Sequence, residues 1–142
     1  TGLSLVEVST LASIVEQETR MNDEKARIAG VYINRLERGE LLQADPTVIY
    51  AVGDFSIQRV LFRHLEYDSP YNTYMYAGLP PGPICVPSPA SIDAVLNYER
   101  HEYMFFCAKE DFSGYHNFAK TLRQHNVNAR RFQNALNQRN IR

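Results

Sequence analysis

The chain has 142 residues, with 15 basic against 16 acidic side chains and a net charge of −1. That length suits one domain that buries about two-thirds of the surface of its extended chain, and the near-neutral balance excludes a dedicated nucleic-acid binder, which concentrates Lys and Arg. At 44% hydrophobic and 22% charged residues it has the composition of an ordinary globular protein, and no apolar run is long enough to span a bilayer.

Ser4 and Glu7 stand at the capping-box spacing, and Val8, Leu11 and Val15 follow at helical intervals, which predicts a helix through about Thr19. A second helix opens on the acidic run Asn22-Asp23-Glu24, where negative charge suits the helix dipole. It carries Ile28, Val31, Tyr32 and Leu36 on its inner side and stops at Gly39, and the two helices are expected to form an antiparallel pair. Asp45-Pro46 reads as the N-cap and N1 of a short helix from Asp45 to Val52, closed by Gly53. Another short amphipathic piece is expected around Ile57 to Leu65.

The texture then changes. Of the 7 prolines, all but Pro46 lie between Pro70 and Pro89, and their fixed φ argues for a rigid loop forming a wall. Ser88-Pro89 starts a helix with Ile92, Val95 and Leu96 as its buried set. Tyr103 to Ala108 and Tyr115 to Phe118 read as two strands of a hairpin whose turn contains Ser113-Gly114. A polar helix from about Leu122 to Arg139 closes the chain, facing inward with Val127, Phe132, Ala135 and Leu136. With no repeats and no linker, the expected fold class is α+β: one mostly helical domain over 1–142 with a small β-hairpin and a proline-rich loop.

Two acidic residues of the first helix compete for a chemical role. Successive helical positions differ by about 100°, so Glu16 and Glu18 point in nearly opposite directions. Val8, Leu11, Val15 and Glu18 follow steps of three, four and three, which places Glu18 at the end of the buried stripe and Glu16 toward the flank. A carboxyl there is destabilising unless it is paired or stays protonated; raising its pKa by two costs about 2.7 kcal/mol at neutral pH. Such a group suits a general acid for glycosidic cleavage. The bland alternative is that Glu18 reaches solvent at the helix end or pairs with Arg20, Arg27 or Arg35.

Other features are less specific. Nine tyrosines suit sugar binding as well as half-buried core positions. Cys85 and Cys107 are compatible with one disulfide or with two small hydrophobes, Cys107 lying in a core-like run. His64, His101, His116 and His125 are scattered and the cysteines lack ligand spacing, so no metal and no cofactor are expected. There is no Gly-rich phosphate loop and no recognisable serine triad. The sequence opens on Thr1-Gly2-Leu3 and runs straight into a helix signal; a piece of a longer protein is expected, with any anchor or targeting segment upstream.

Five segments carry a resemblance: Leu11-Ala12-Ser13-Ile14-Val15-Glu16-Gln17-Glu18-Thr19, Ile28 to Leu36, Leu42 to Tyr50, Tyr71-Asn72-Thr73-Tyr74, and Gly78-Leu79-Pro80-Pro81-Gly82-Pro83-Ile84. In this order they resemble the YceG-like family of endolytic murein transglycosylases (MltG), over essentially the whole chain. The resemblance implies a lysozyme-like catalytic core that cuts within the glycan strands of peptidoglycan. It also implies an N-terminal helix anchored in the inner membrane, with this domain on the periplasmic side. The family's glutamate lies in the segment matching Ile14 to Thr19, which is similar to the Glu-Ser of other lytic transglycosylases; that parallel selects Glu18-Thr19, with Glu16 as second choice.

The implied mechanism uses one carboxyl where ordinary glycosidases use two. Glu18 protonates the oxygen of the β-1,4 bond between N-acetylmuramic acid and N-acetylglucosamine, then deprotonates the muramyl 6-hydroxyl, which closes on C1 to leave a 1,6-anhydro end. Gln43, Asn72, Thr73 and Tyr74, which match family motifs, are the implied substrate-positioning residues. Peptidoglycan strands and cell-wall synthases are the implied partners. Asp45 reads as a helix cap rather than a second acid. Asn34 and Arg35 are expected to tie the second helix to the first, with Arg35 near Glu18 as a charge opposing a raised pKa, and His116 is read as structural although it matches a family histidine. Two other functions stay open: an inactive peptidoglycan-binding or scaffold module of the synthesis machinery, and a two-carboxylate hydrolase using Asp45 or Asp68.

Overall fold

The computed structural model describes residues 2–139; the ends of the expected 1–142 domain, residue 1 and residues 140–142, lie outside the described residues. Helix α1 (Leu5–Glu18) starts on a complete capping box: the Ser4 hydroxyl accepts the Glu7 N–H at 3.2 Å, and the Glu7 carboxylate accepts the Ser4 N–H at 2.9 Å. Helix α2 (Asn22–Glu37) is followed by Gly39 at φ 69°, a left-handed conformation that glycine adopts without a Cβ clash. Helix α3 (Asp45–Val52) ends the same way on Gly53, and α4 (Phe62–Leu65) is a single turn. After the proline-rich segment, α5 (Pro89–Leu96) begins on the Ser88 cap. Strands β1 (Phe105–Ala108) and β2 (His116–Ala119) pair antiparallel, with Phe105 opposite Ala119 and Ala108 opposite His116. Helix α6 (Leu122–Gln138), capped by Thr121, completes the α+β fold.

The core joins Leu11, Ala12, Ile14 and Val15 of α1 to Ile28, Ala29, Tyr32 and Ile33 of α2 and to Val95 of α5. Burying each of the larger side chains contributes roughly 1.5–3 kcal/mol. Helices α1 and α2 touch, but each packs more extensively on α5 than on the other, so the expected helix pair is a three-helix layer. Gly30 makes one approach possible: a Cβ there would lie 2.3 Å from the Glu99 carbonyl oxygen and 2.7 Å from His101 Nε2, so α2 can carry no side chain where the 99–101 segment crosses it. Helix α6 packs on the hairpin.

Two expected helix faces, one strand boundary and the place of Asn34 are corrected. In α5, Leu96 is 52% exposed while Ser91, Ala94 and Val95 are buried, because the short helix presents only one narrow stripe to α1 and α2. In α6, Val127 is 41% exposed and Asn128 is buried, its carbonyl accepting the Gln124 amide at 3.0 Å. The first strand begins at Phe105 rather than Tyr103, because the His101 and Tyr103 carbonyls accept from Asn34 Nδ2 at 2.9 Å each. Asn34 thereby ties α2 to the strand approach, not to α1 as expected.

Candidate active site

A cleft of about 530 Å³ opens between the end of α1, the inner face of α2, the start of α3, residues 58–60, the hairpin and α6; of the expected proline-rich wall only Tyr74 lines it, and none of its prolines does. Its size is that of a ligand site rather than a packing defect. Glu18, the last residue of α1, lines it half-buried, and its carboxyl accepts a hydrogen bond from the Tyr32 hydroxyl. Burial pushes the Glu18 carboxyl up from 4.5 to about 8; the Tyr32 bond opposes that rise and the charge of Asp45 adds to it. No cation pairs with it among the described residues. Arg27 forms its ion pair with Glu99 at 2.9 Å. Arg35, expected near Glu18 as an opposing charge, instead donates to the Leu41 and Met104 carbonyls at 2.8 Å each and lies over the Phe105 ring.

Glu16 has the opposite surroundings. One of its carboxylate oxygens accepts the Ser88 N–H at 3.0 Å and the Ser88 and Ser91 hydroxyls at 2.7 Å each, and Lys25 Nζ lies 3.6 Å away. The hydrogen bond from the Ser88 hydroxyl, then those from Ser91 and the Ser88 backbone, pull its pKa down to about 2, so at neutral pH it is ionised. It does not line the cleft. Its place is structural: it joins the last turn of α1 to the first turn of α5.

Of the expected sugar-positioning residues, Gln43 and Tyr74 line the cleft and Asn72 and Thr73 do not. Gln43 holds φ 50°, a conformation that costs a non-glycine residue of order 1–3 kcal/mol and often marks a functional site. It is held by its N–H on the Thr73 carbonyl at 3.2 Å. Asn72 and Thr73 are completely buried behind this surface. Asn72 donates to the Leu65 and Tyr67 carbonyls and accepts the Tyr74 N–H at 2.9 Å; the Thr73 hydroxyl accepts the Ala44 N–H at 2.8 Å and bonds Thr47 at 2.8 Å. Direct contact of these two with a sugar is therefore corrected to a supporting place: they fix the backbone that carries Tyr74 and Gln43.

Asp45 is not the helix cap it resembles. Ala44 occupies the cap position of α3 and no side chain caps it, while the Asp45 carboxylate faces the cleft and accepts the Tyr74 hydroxyl at 2.5 Å. The residue is exposed overall; partial desolvation of its carboxyl against the cleft wall raises its pKa and the Tyr74 bond opposes the rise. Burial and the neighbouring Asp45 in turn push the Tyr74 phenol far above its ordinary value. Asp68, the other acid considered, is exposed, accepts from Tyr76 at 2.6 Å, and does not line the cleft.

His116 lines the cleft from β2, anchored by the buried Glu24, whose carboxylate meets its Nδ1 and accepts its backbone N–H, both at 2.8 Å. Of the other histidines, His64 accepts the Leu61 N–H, His101 meets the Arg27 carbonyl, and His125, which lines the same cleft, stacks on Phe105. Cys85 and Cys107 are both unlinked thiols; Cys107, expected in the core, is half-buried at the cleft, where burial raises its pKa to about 11. Two cleft features escaped the sequence reading. Tyr32 was legible only as an inner-face residue, and Glu24 only as an acidic helix start.

The YceG-like family model matches residues 1–131. The chain belongs to the YceG-like family. Over 137 residues, 96% of its length, it is 39% identical to the endolytic murein transglycosylase of Bacillus subtilis, of which it spans 37%. It is 35% identical over 111 residues to the endolytic murein transglycosylase of Streptococcus pneumoniae, covering 75% of this chain and 20% of that protein. A crystal structure of a YceG-like protein from Listeria monocytogenes superposes with a TM-score of 0.83 at 42% identity, over 88% of this chain and 40% of that one. This YceG-like chain thus spans well under half the length of these relatives.

Proposed function

We propose that this domain is the catalytic part of an endolytic peptidoglycan transglycosylase, a lyase that cleaves the β-1,4 bond between N-acetylmuramic acid and N-acetylglucosamine inside glycan strands. The observation that carries the reading is a carboxyl with a pKa of about 8, without a cationic partner, at the wall of a 530 Å³ cleft. At pH 7 such a group holds its proton and can give it to a leaving oxygen. The curated relatives named endolytic murein transglycosylases supply the substrate class.

In this mechanism Glu18 donates its proton to the glycosidic oxygen as the C1–O bond breaks, freeing the 4-hydroxyl of N-acetylglucosamine. The resulting carboxylate then takes the proton of the muramyl 6-hydroxyl while that oxygen bonds to C1. Water is not consumed and Glu18 ends protonated, as it began. The Tyr32 hydroxyl orients the carboxyl and supports its ionised form between the two transfers. Gln43 and Tyr74 are suited to hold the sugar, and Asn72 and Thr73 to hold Gln43 and Tyr74. Anchoring of the full-length protein in the inner membrane, with this domain on the periplasmic side and cell-wall synthases as partners, completes the reading.

A specific observation favours a second reading. Asp45 stands in the same cleft as Glu18, and two carboxyls are what a retaining or inverting hydrolase uses. Digesting purified peptidoglycan with the full-length protein and analysing product ends by mass spectrometry separates them. Anhydro-muramyl ends support the lyase and reducing muramyl ends the hydrolase; absence of any product that Glu18→Gln fails to make leaves a binding or scaffold module.

A further inference from the structure

The Asp45 carboxylate stands open to the cleft. Partial desolvation against the cleft wall disfavours its charge, and among the described residues no Lys, Arg or His forms an ion pair with it. It does not cap α3, and its partner is one phenol, Tyr74, at 2.5 Å. The residue is exposed to the cleft rather than enclosed, and much local structure serves to hold its carboxylate there. Asn72 accepts the Tyr74 N–H, Thr73 receives the Ala44 N–H beside Asp45, and Thr47 on α3 bonds Thr73. Three fully buried polar side chains thereby clamp the wall to the start of α3. They fix Asp45 and Tyr74 relative to each other and to Glu18.

Resting on the lyase reading above, we propose that Asp45, steadied by Tyr74, is a second working carboxylate of the cleft: its negative charge stabilises the positive charge that develops on the muramyl ring as the glycosidic bond breaks. The cation it meets directly would then be the reacting sugar itself. A fixed negative charge is most effective against charge that appears only in the transition state. The assignment needs no covalent bond to Asp45, and no proton leaves it; Glu18 carries out both proton transfers. A second effect follows from position, because a negative Asp45 also favours the protonated form of Glu18. The other charged or titratable groups lining the cleft with these two are Tyr32 and Arg35 from α2, Arg59 before α4, Tyr74 from the wall, Cys107 from β1, His116 from β2 and His125 from α6.

The test uses the full-length protein on purified glycan strands with product ends counted. Asp45→Asn keeps the size of the side chain and removes its charge. It is expected to lower kcat about 100-fold with KM changed little, to move the basic limb of the pH–rate profile toward acid, and to leave the melting temperature the same or higher. Tyr74→Phe, which releases Asp45 without discharging it, is expected to cost about tenfold in kcat. If Asp45→Asn folds and keeps the wild-type kcat and pH profile, the inference fails. If it does not fold, Tyr74→Phe decides alone, and an unchanged kcat overturns the inference. A loss that appears in KM and melting temperature with kcat intact marks Asp45 as structural and overturns it too. Reducing muramyl ends from the wild type, or activity surviving in Glu18→Gln, would defeat the lyase reading instead, so the two failures are distinguishable.

Discussion

Two carboxylates of α1, separated by one residue, have been given opposite chemistry by opposite surroundings. Glu16 faces the start of α5, takes three hydrogen bonds and a lysine, and is held ionised with a pKa of about 2. Glu18 faces the cleft, takes one hydrogen bond from a phenol, and is held protonated with a pKa of about 8. The helix supplies the divergence, since two steps of about 100° turn neighbouring acids to different faces. What each face offers then decides the proton. Hydroxyl and amide donors stabilise a carboxylate, whereas an apolar surrounding without a cation destabilises it. A carboxylate tied into a helix junction stabilises the fold, and a carboxyl kept neutral at an open cleft is available for proton transfer.

The largest effect expected from breaking this contrast is on catalysis. Glu18→Gln keeps the shape and the acceptor for Tyr32 but cannot shuttle a proton, and it should lower release of anhydro-muramyl ends by about 1,000-fold or more. Stability should move the other way. The folded pKa of Glu18 lies above its unfolded value near 4.5, so its penalty on folding is absent below pH 4.5 and grows as pH rises toward 8. Glu18→Gln should therefore be more stable than wild type at pH 7, on the order of 2–3 kcal/mol, and equal to it near pH 4. Denaturant melts at the two pH values check the sign; a variant less stable at pH 7 would contradict a half-buried carboxyl without a cationic partner.

Glu16→Gln should give the mirror image at smaller magnitude. The folded pKa of Glu16 is depressed, so its contribution is full above pH 4.5 and is lost as pH falls through about 2. Its side chain is 29% exposed, which weakens the effect by solvent screening. The variant should lose about 1–2 kcal/mol at pH 7 and converge on wild type near pH 2, with activity per folded molecule kept. Urea titrations across that range measure the convergence, and a cost that persisted unchanged at pH 2 would mean packing rather than charge.

How far this contrast was legible in the sequence depends on the range of the interactions. The α1 capping box, the Gly53 stop and the Ser88 start are local signals, each within a few residues, and each stands where the pattern puts it. Period alone turned Glu18 and Glu16 to different faces. What Glu16 meets there, however, lies more than 70 residues away, and nothing in the acidic dipeptide spacing announces Ser88 and Ser91. Asp45-Pro46 shows the converse failure: the local pattern of a cap was present, but the contact with Tyr74, 29 residues on, drew the side chain away. Asn72 and Thr73 carried a recognisable motif whose role could not be read, because burial behind a loop wall is a tertiary property.

The smallest effect sharpens the comparison most. Tyr32 is the one donor on Glu18, against three on Glu16, and its bond already restrains the rise of the Glu18 pKa. Tyr32→Phe removes the donor and little else, so the two carboxyls should diverge further: Glu18 rises above 8 and Glu16 stays where it is. The acid form would then persist to higher pH, moving the basic limb of the pH–rate profile alkaline, opposite to the shift expected of Asp45→Asn. The rate at neutral pH should nevertheless fall by less than tenfold, because a carboxyl with a higher pKa gives up its proton less readily and the carboxylate between the two transfers has lost its stabilising phenol. A pH–rate profile measured on this variant beside Asp45→Asn separates the two influences on one proton. If both limbs moved the same way, neither the phenol nor the second carboxylate would be setting the state of Glu18.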